Sequence, residues 1–414
     1  MKRRTLLSMR AGHAGRLLWT ACALIFAASM ICQPKEVFEG ATMGLKTWWN
    51  IVFPSLLPFF IVSDLLMSFG LVNFIGVLAE PLMRPLFNVP GSGSFVLCVG
   101  YTSGYPIGAM VTARLRSQRL CTRVEAERLM SFTNNSSPLF MLVAVSVGMF
   151  GRPDLGLFIA GSHYMANLTL GFLLRFYGRN DREILPLRGN PYGSIFTRAV
   201  RELTSAWQKE TRPLGKIIGD AVRNAINSLL VIGGFIILFA VIIKLITRAG
   251  LINGMAGLLG VVLYPLGFSP EIMPALASGF FEMTIGSKMA AESSAPIIQQ
   301  LVAVEIILAW SGLSVQAQVA SMISETDIRM LPFILSRIAH AALAAFYTVF
   351  LFGPAIPAAG NLLRPVMAPL EKMNDAPAFL FSFKFSILLL VATISAIIML
   401  STLFLLAKKI KTCL

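Results

Sequence analysis

Histidine and cysteine are scarce in this chain, and what there is does not cluster. The three histidines (His13, His163, His340) and five cysteines (Cys22, Cys32, Cys98, Cys121, Cys413) stand apart. No paired spacing suggests a zinc site, and no framework suggests disulfides. The chain also lacks a G-x-S-x-G elbow, an H-E-x-x-H pair and a P-loop. These absences argue against a hydrolase, a zinc protease and coupling to ATP within this chain. A lipid-modifying enzyme would need an acid/base or metal cluster near the membrane surface, and none is visible. No enzyme activity and no cofactor are expected. Charge is thin as well: 13% of residues, about half the share in soluble domains.

What replaces charge is hydrocarbon. Hydrophobic residues make up 56% of the 414 positions, in long runs that need a lipid bilayer around them. The net charge of +15 falls in the loops between these runs. That is the positive-inside pattern, not a nucleic-acid surface. Lys2, Arg3, Arg4, Arg10 and Arg16 precede an apolar run over 17–32. No clear cleavage site follows, so it reads as an uncleaved first span.

Further spans are expected at 45–69 (interrupted by Pro54 and Pro58), 132–150, 155–177, 225–246, 296–314, 331–352 and 379–407. Segments 71–79 and 251–264 are too short to cross. Segments 94–113 and 272–291 are broken by glycine, proline and polar residues, and suit re-entrant hairpins. Arg116, Arg119, Arg123 and Glu127 recur at helical spacing and suggest a solvated surface helix over 114–128. The polar stretch 175–223, with about ten Lys/Arg against five Asp/Glu, reads as a cytoplasmic linker or a surface helix.

The pattern occurs twice. Gly70-Leu71-Val72-Asn73 returns as Gly250-Leu251-Ile252-Asn253, Pro85-Leu86 as Pro265-Leu266, and Gly100-Tyr101 as Gly279-Phe280. Their common order and near-constant spacing mark an internal repeat. With the basic loops and both termini placed in the cytoplasm, the two hairpins enter from opposite sides, so the repeats are inverted. The expected organisation is an N-terminal span (1–40), a first repeat (41–177), a basic linker (178–223), a second repeat (224–355) and a C-terminal loop and span (356–414). Inverted repeats with broken segments at matching places are the architecture of secondary transporters, with the site between them near the midplane.

Four stretches carry polar groups at membrane depth, where such groups line a cavity or are buried in protein. The first is Thr102-Ser103-Gly104-Tyr105-Pro106-Ile107-Gly108: either a kinked helix packed through its glycines, or a half-helix aiming N–H groups at an anion. The second is Asn134, Asn135, Ser136 and Ser137, able to cap a helix and to bind a carboxylate. Ser311, Gly312, Ser314, Gln316 and Gln318 form the equivalent group in the second half. The fourth stretch holds Glu282, Thr284, Gly286, Ser287 and Lys288. Here Glu282 and Lys288 pair across the hairpin, or Lys288 meets an anionic solute while Glu282 takes a coupling proton or sodium ion. Asp64, Lys244 and Glu305 lie nearer span ends. His163 stands alone and reads as a packing residue. A homo-oligomer is compatible with the sequence, which specifies no interface.

At these motifs the chain resembles the YlbJ (SpoVV) family of sporulation integral membrane proteins. The resemblance is carried by Ser103-Gly104-Tyr105-Pro106-Ile107-Gly108-Ala109, Ser131-Phe132-Thr133-Asn134-Asn135-Ser136-Ser137-Pro138, Gly279-Phe280-Phe281-Glu282-Met283-Thr284-Ile285-Gly286 and Trp310-Ser311-Gly312-Leu313-Ser314-Val315. It implies an all-α polytopic membrane protein with paired nucleoside-recognition Gate domains, similar to concentrative nucleoside transporters and ferrous iron transporters. It also implies a role in endospore formation: moving dipicolinic acid across the outer forespore membrane, as cortex formation requires. Tyr105, Phe280 and Phe281 are candidates to stack on the ring of such a dianion. On this reading, Lys288→Ala and Asn135→Ala each reduce dipicolinate movement at normal protein levels.

Overall fold

The computed structural model describes residues 17, 20–179, 183 and 194–352. The basic N-terminus, most of the 180–193 segment and the expected span at 379–407 lie outside the described residues. All regular elements among the described residues are helical. A first helix, α1 (Thr20–Cys32), bends by 101° into the next. That next helix runs without interruption as α2 (Pro34–Thr47), a π-helical turn (Trp48–Val52) and α3 (Phe53–Ser68). The expected break at Pro54 and Pro58 is absorbed instead of ending the helix. Each proline strips one N–H from the ladder, and the π turn takes up the mismatch just before Pro54.

The order that follows occurs twice. In the first pass come α4 (Leu71–Phe87), a hairpin of α5 (Gly93–Ser103) and α6 (Ile107–Ser117), α7 (Arg123–Thr133) broken from a π-helical segment (Phe140–Met149), and α8 (Leu155–Leu174). An amphipathic helix α9 (Ile195–Lys209) then packs on α4. The second pass begins with the 35-residue α10 (Leu214–Arg248). It continues with α11 (Leu251–Leu263), a hairpin of α12 (Met273–Phe281) and α13 (Met283–Ala291), α14 (Ile297–Trp310) broken from α15 (Gly312–Ile323), and α16 (Met330–Tyr347). The glycines that open α4 and α11 share a left-handed conformation, with φ 75° at Gly70 and 78° at Gly250. A side chain there would be strained, which explains why this residue is repeated.

Among the described residues, four helical stretches are long and apolar enough to cross a membrane, α14 and α15 counting as one, or five if the bent first pair is also one span. Both hairpins are built from arms of 9 to 11 residues. At 1.5 Å per residue such an arm covers roughly half of a 30 Å hydrocarbon core. The long α2–α3 and α10 helices lie against each other. Gly40 and Gly44 let the backbones meet: a Cβ on Gly44 would come within 2.9 Å of Ile237 Cα. This is the small-residue packing that membrane helices use in place of a hydrophobic drive. Trp48 Nε1 donates to Leu229 O at 2.9 Å across the same seam.

Four expectations change. The stretch over 114–128 is not a solvated surface helix. Its C-terminal part belongs to α7, whose residues from Val124 to Thr133 are all buried. The charges are answered inside the protein: Glu127 accepts from Arg329 Nε at 2.7 Å and from the Tyr177 hydroxyl, and Arg128 donates to the carbonyls of Asn88 and Tyr177. The stretch over 132–150 is two segments with the polar cluster at their junction, not at the start of one span. Finally, α10 is longer than the span expected over 225–246, and α4 extends beyond the short segment expected over 71–79, through Pro81 and Pro85 as far as Phe87.

Two predictions follow from this packing. A Cβ on Gly286 would overlap Gly279 Cα in the facing arm, whereas one on Gly254 would meet nothing. Gly286→Ala should therefore destabilise by about 1–3 kcal/mol, and Gly254→Ala should stabilise slightly, read as thermal unfolding in detergent. At the polar end, Arg116 joins α6 to Asp327, between α15 and α16, and lowers the carboxyl pKa of Asp327 by hydrogen bonding and charge. Stability from this bridge is present above the unfolded carboxyl pKa and is lost as pH falls through the lower folded one. Asp327→Asn should lower the melting temperature at neutral pH, with the difference vanishing in strong acid.

Candidate functional site

Each hairpin tip meets the break in a helix. At the first tip, α5 ends at Gly104 (φ 75°) and a cis Tyr105–Pro106 bond leads into α6. Gly104 and Gly108 allow close approach to the first break: a Cβ on Gly104 would come within 2.7 Å of Ser137 N, and one on Gly108 within 2.6 Å of Thr133 O. At the second tip, Glu282 is extended and caps α13, accepting from Ile285 N at 2.7 Å. Gly312 (φ 72°) presses against this tip, and a Cβ there would sit 3.0 Å from both Met283 N and Phe281 O.

Breaking two buried helices strands carbonyls, and side chains take up several of them. Arg337 of α16 is fully buried and donates to Asn134 O at 3.0 Å and to Ser131 O. Asn167 donates to Phe132 O, and the Tyr164 hydroxyl to Ser136 O at 3.1 Å. In the second half the Tyr105 hydroxyl donates to Leu308 O at 3.0 Å, tying the first hairpin to the second broken helix. Gln316 donates to Trp310 O at 3.3 Å.

Between the tips and the breaks lies a cavity of about 50 Å³. Its polar lining is Ser103, Tyr105, Ser136, Ser137, Glu282, Thr284, Ser314 and Gln318. The apolar wall comes from the long helices, including Phe60, Ile232 and Phe235. Three half-helices start at its edge: the segment opening at Phe140, α13 and α15. Their N-termini give the cavity a positive field. Ser137 Oγ caps the first, accepting from Phe140 N at 3.2 Å. Ser136 Oγ and Ser314 Oγ, one from each break, are buried without a hydrogen-bond partner. A second, larger cavity of about 1320 Å³ shares Phe60, Ser103, Tyr105, Ile232, Phe235 and Gln318 with the first. It also carries charge, from Arg114, Arg198, Arg201, Asp64, Glu80 and Glu202.

The structure thus brings together eight of the residues singled out in sequence and sets the others apart. Gly104, Gly108, Gly286 and Gly312 shape the backbone. Thr102 is exposed and bonds back to Cys98 O at 2.8 Å. Asn134 Oδ1 accepts from Ala109 N at 3.4 Å. Asn135, Ser287, Ser311 and Gln316 are buried but do not line the cavity. Of the two readings of Glu282 and Lys288, the pairing across the hairpin is not formed: Lys288 lies 3.8 Å from Glu292 one turn on. Phe280 stacks on Trp310, ring centroids 5.2 Å apart, and does not face the cavity.

His163 is not isolated. Its Nδ1 lies 3.3 Å from Glu305 Oε2, its Nε2 accepts from Ser136 N at 3.3 Å, and its ring is 4.6 Å from that of His340. Sequence reasoning missed this group because its members stand on three separate helices that no local spacing connects.

The sequence model of the Gate family, described as nucleoside recognition, matches residues 50–153. The chain is 43% identical over 373 residues to the sporulation integral membrane protein YlbJ of Bacillus subtilis (strain 168), covering 90% of this chain and 91% of that protein. The chain belongs to the YlbJ family. It is an integral membrane protein. An uncharacterized protein of Alkalihalophilus pseudofirmus is 28% identical over 136 residues, covering 31% of this chain and 29% of that one. Among solved structures, CNTnw in an inward-facing substrate-bound state aligns at a TM-score of 0.45 and 13% identity, over 82% of this chain and 85% of that one. CNTnw in an outward-facing state aligns at a TM-score of 0.46 and 12% identity, over the same shares.

The two unpartnered serines separate stability from function. Ser136→Ala and Ser314→Ala should leave the melting temperature within about 2 °C, since no intramolecular bond is lost. Each should weaken binding of a small solute in this cavity about fivefold, the worth of one net hydrogen bond of about 1 kcal/mol, measured as a rise in apparent Kd.

Proposed function

We propose that the chain is a transporter of endospore formation that moves dipicolinic acid, a small aromatic dicarboxylate, across the outer forespore membrane for cortex formation. The observation that carries this reading is the cavity: two hairpin tips and two helix breaks enclose unpartnered hydroxyls and three half-helix N-termini. N-termini favour negative charge, and a planar dianion offers one carboxylate to each half of the site. The cavity itself has room for a few waters, so the solute would reach it from the larger cavity as the hairpin tips part. The arginines of that larger cavity suit an anion on its way in. In this reading the two repeats are inverted, both termini are cytoplasmic, and the site is exposed to each side in turn.

A second reading rests on Glu282. Its carboxylate already occupies the N-terminus of α13, and among the residues lining the small cavity it is the one carboxylate. A carboxylate there suits the hydroxyls of a nucleoside better than a dianion, in keeping with the description of the Gate family. The name of the Bacillus subtilis relative supports the sporulation role without naming a solute.

Glu282→Gln distinguishes the two readings in proteoliposomes containing this protein. For dipicolinate, removing the negative charge should maintain or raise apparent affinity. For uridine, loss of a charge-assisted hydrogen bond worth about 1.5–3 kcal/mol should weaken transport by roughly tenfold or more. Dipicolinate uptake without uridine uptake in the unaltered protein supports the first reading, and the reverse supports the second.

A further inference from the structure

Behind the first break lies a line of hydrogen bonds that the transport cavity does not use. Arg337 Nη1 meets His340 Nδ1 at 3.3 Å, and His340 Nε2 meets His163 O at 3.1 Å. Ser136 N donates to His163 Nε2, leaving His163 Nδ1 facing Glu305 Oε2. The donors settle the protons. An arginine only donates and a carbonyl only accepts, so His340 carries its proton on Nε2. A backbone N–H only donates, so His163 carries its proton on Nδ1 and gives it to Glu305. Both imidazoles are neutral, and both of their nitrogens are occupied. Glu305 Oε1 is the acceptor left over: it is buried without a partner, and the side chain is fully enclosed.

We propose that Glu305 Oε1 binds the coupling proton of transport, with His163 connecting it to the solute cavity through Ser136. This rests on the transporter reading above. Protonation forms one O–H bond, with the proton taken from water, and alters no bond of the solute. The ionisable groups facing Glu305 are His163 and Tyr164 on α8 and Tyr105 on the first hairpin, while Arg337 and His340 on α16 lie beyond His163. With Glu305 ionised, the cluster that also holds Arg337 beyond the two histidines carries no net charge. A bound proton leaves one net positive charge next to the cavity, in a medium where charge is costly. An anion in the cavity offsets it, so proton and anion load together. Ser136 lies in both sites: its N–H holds His163, and the residue lines the cavity. This inference departs from the expectation that Glu282 takes the coupling ion.

The test uses the full chain in proteoliposomes with labelled dipicolinate. An imposed pH gradient should drive accumulation in the unaltered protein. Glu305→Gln should lower that accumulation at least tenfold while dipicolinate exchange without a gradient stays within about twofold. Retention of gradient-driven accumulation in Glu305→Gln would overturn the proposal, as would equal loss of exchange. If this variant does not fold, proton entry measured with a trapped pH dye in the unaltered protein decides: exchange without solute-dependent proton movement rejects the proton site. Should the unaltered protein move no dipicolinate, the transport reading fails separately. The proton site is then read from the infrared carboxyl band of detergent-solubilised protein on acidification. A band present in the unaltered protein and in Glu282→Gln but absent from Glu305→Gln supports it. No such difference refutes it.

Discussion

Breaking a helix inside an apolar protein leaves backbone groups that water cannot reach, and most of this structure answers that demand. The break at 134–137 frees carbonyls that are taken up by Arg337, Asn167 and Tyr164. The break at Ser311–Gly312 is met by Tyr105 and Gln316. Each unsatisfied group would cost several kcal/mol at that depth. The helices that supply the partners, α8 and α16, are thereby held against the breaks. What remains at the other ends of the half-helices is a set of N-termini facing one small cavity. The cavity is a consequence of how the broken backbone is satisfied.

The two hairpins act as covers for those N-termini. They are short enough to be supported by their neighbours and lined with glycine where they touch. Gly104 and Gly108 fit against the first break, and Gly312 of the second break fits against the second tip. The long helices α2–α3 and α10 form a separate seam through Gly40, Gly44 and Trp48, and supply the apolar wall. The contrast is physical: tight backbone packing in the seam, and polar contacts that can exchange partners at the tips.

Much of this was legible in the sequence because breaks have a chemical signature. Glycine, proline and hydroxyl residues within apolar runs marked both hairpins, and the Gly70/Gly250 correspondence marked the repeated order of elements. Asn134–Ser137 was recognised as polar and capping, but placed at a helix start because α7 reads as charged and solvated. Its charges find partners at Asn88, Tyr177 and Arg329, far along the chain, which no local pattern reveals. Lys288 looked like a site residue because it shares a hairpin with Glu282. The four-residue spacing to Glu292 was the better guide. Glu305, His163, His340 and Arg337 were illegible as a group, since three separate helices bring them together.

The account stands or falls on whether one solute contacts both breaks at once. The most direct measurement is alkylation of single cysteines placed at Ser136 and Ser314 in a cysteine-free background, with and without dipicolinate. The account predicts that dipicolinate slows labelling at both positions over the same concentration range. Equal labelling with and without solute at both positions, in protein that still transports dipicolinate, would contradict it and place the site elsewhere.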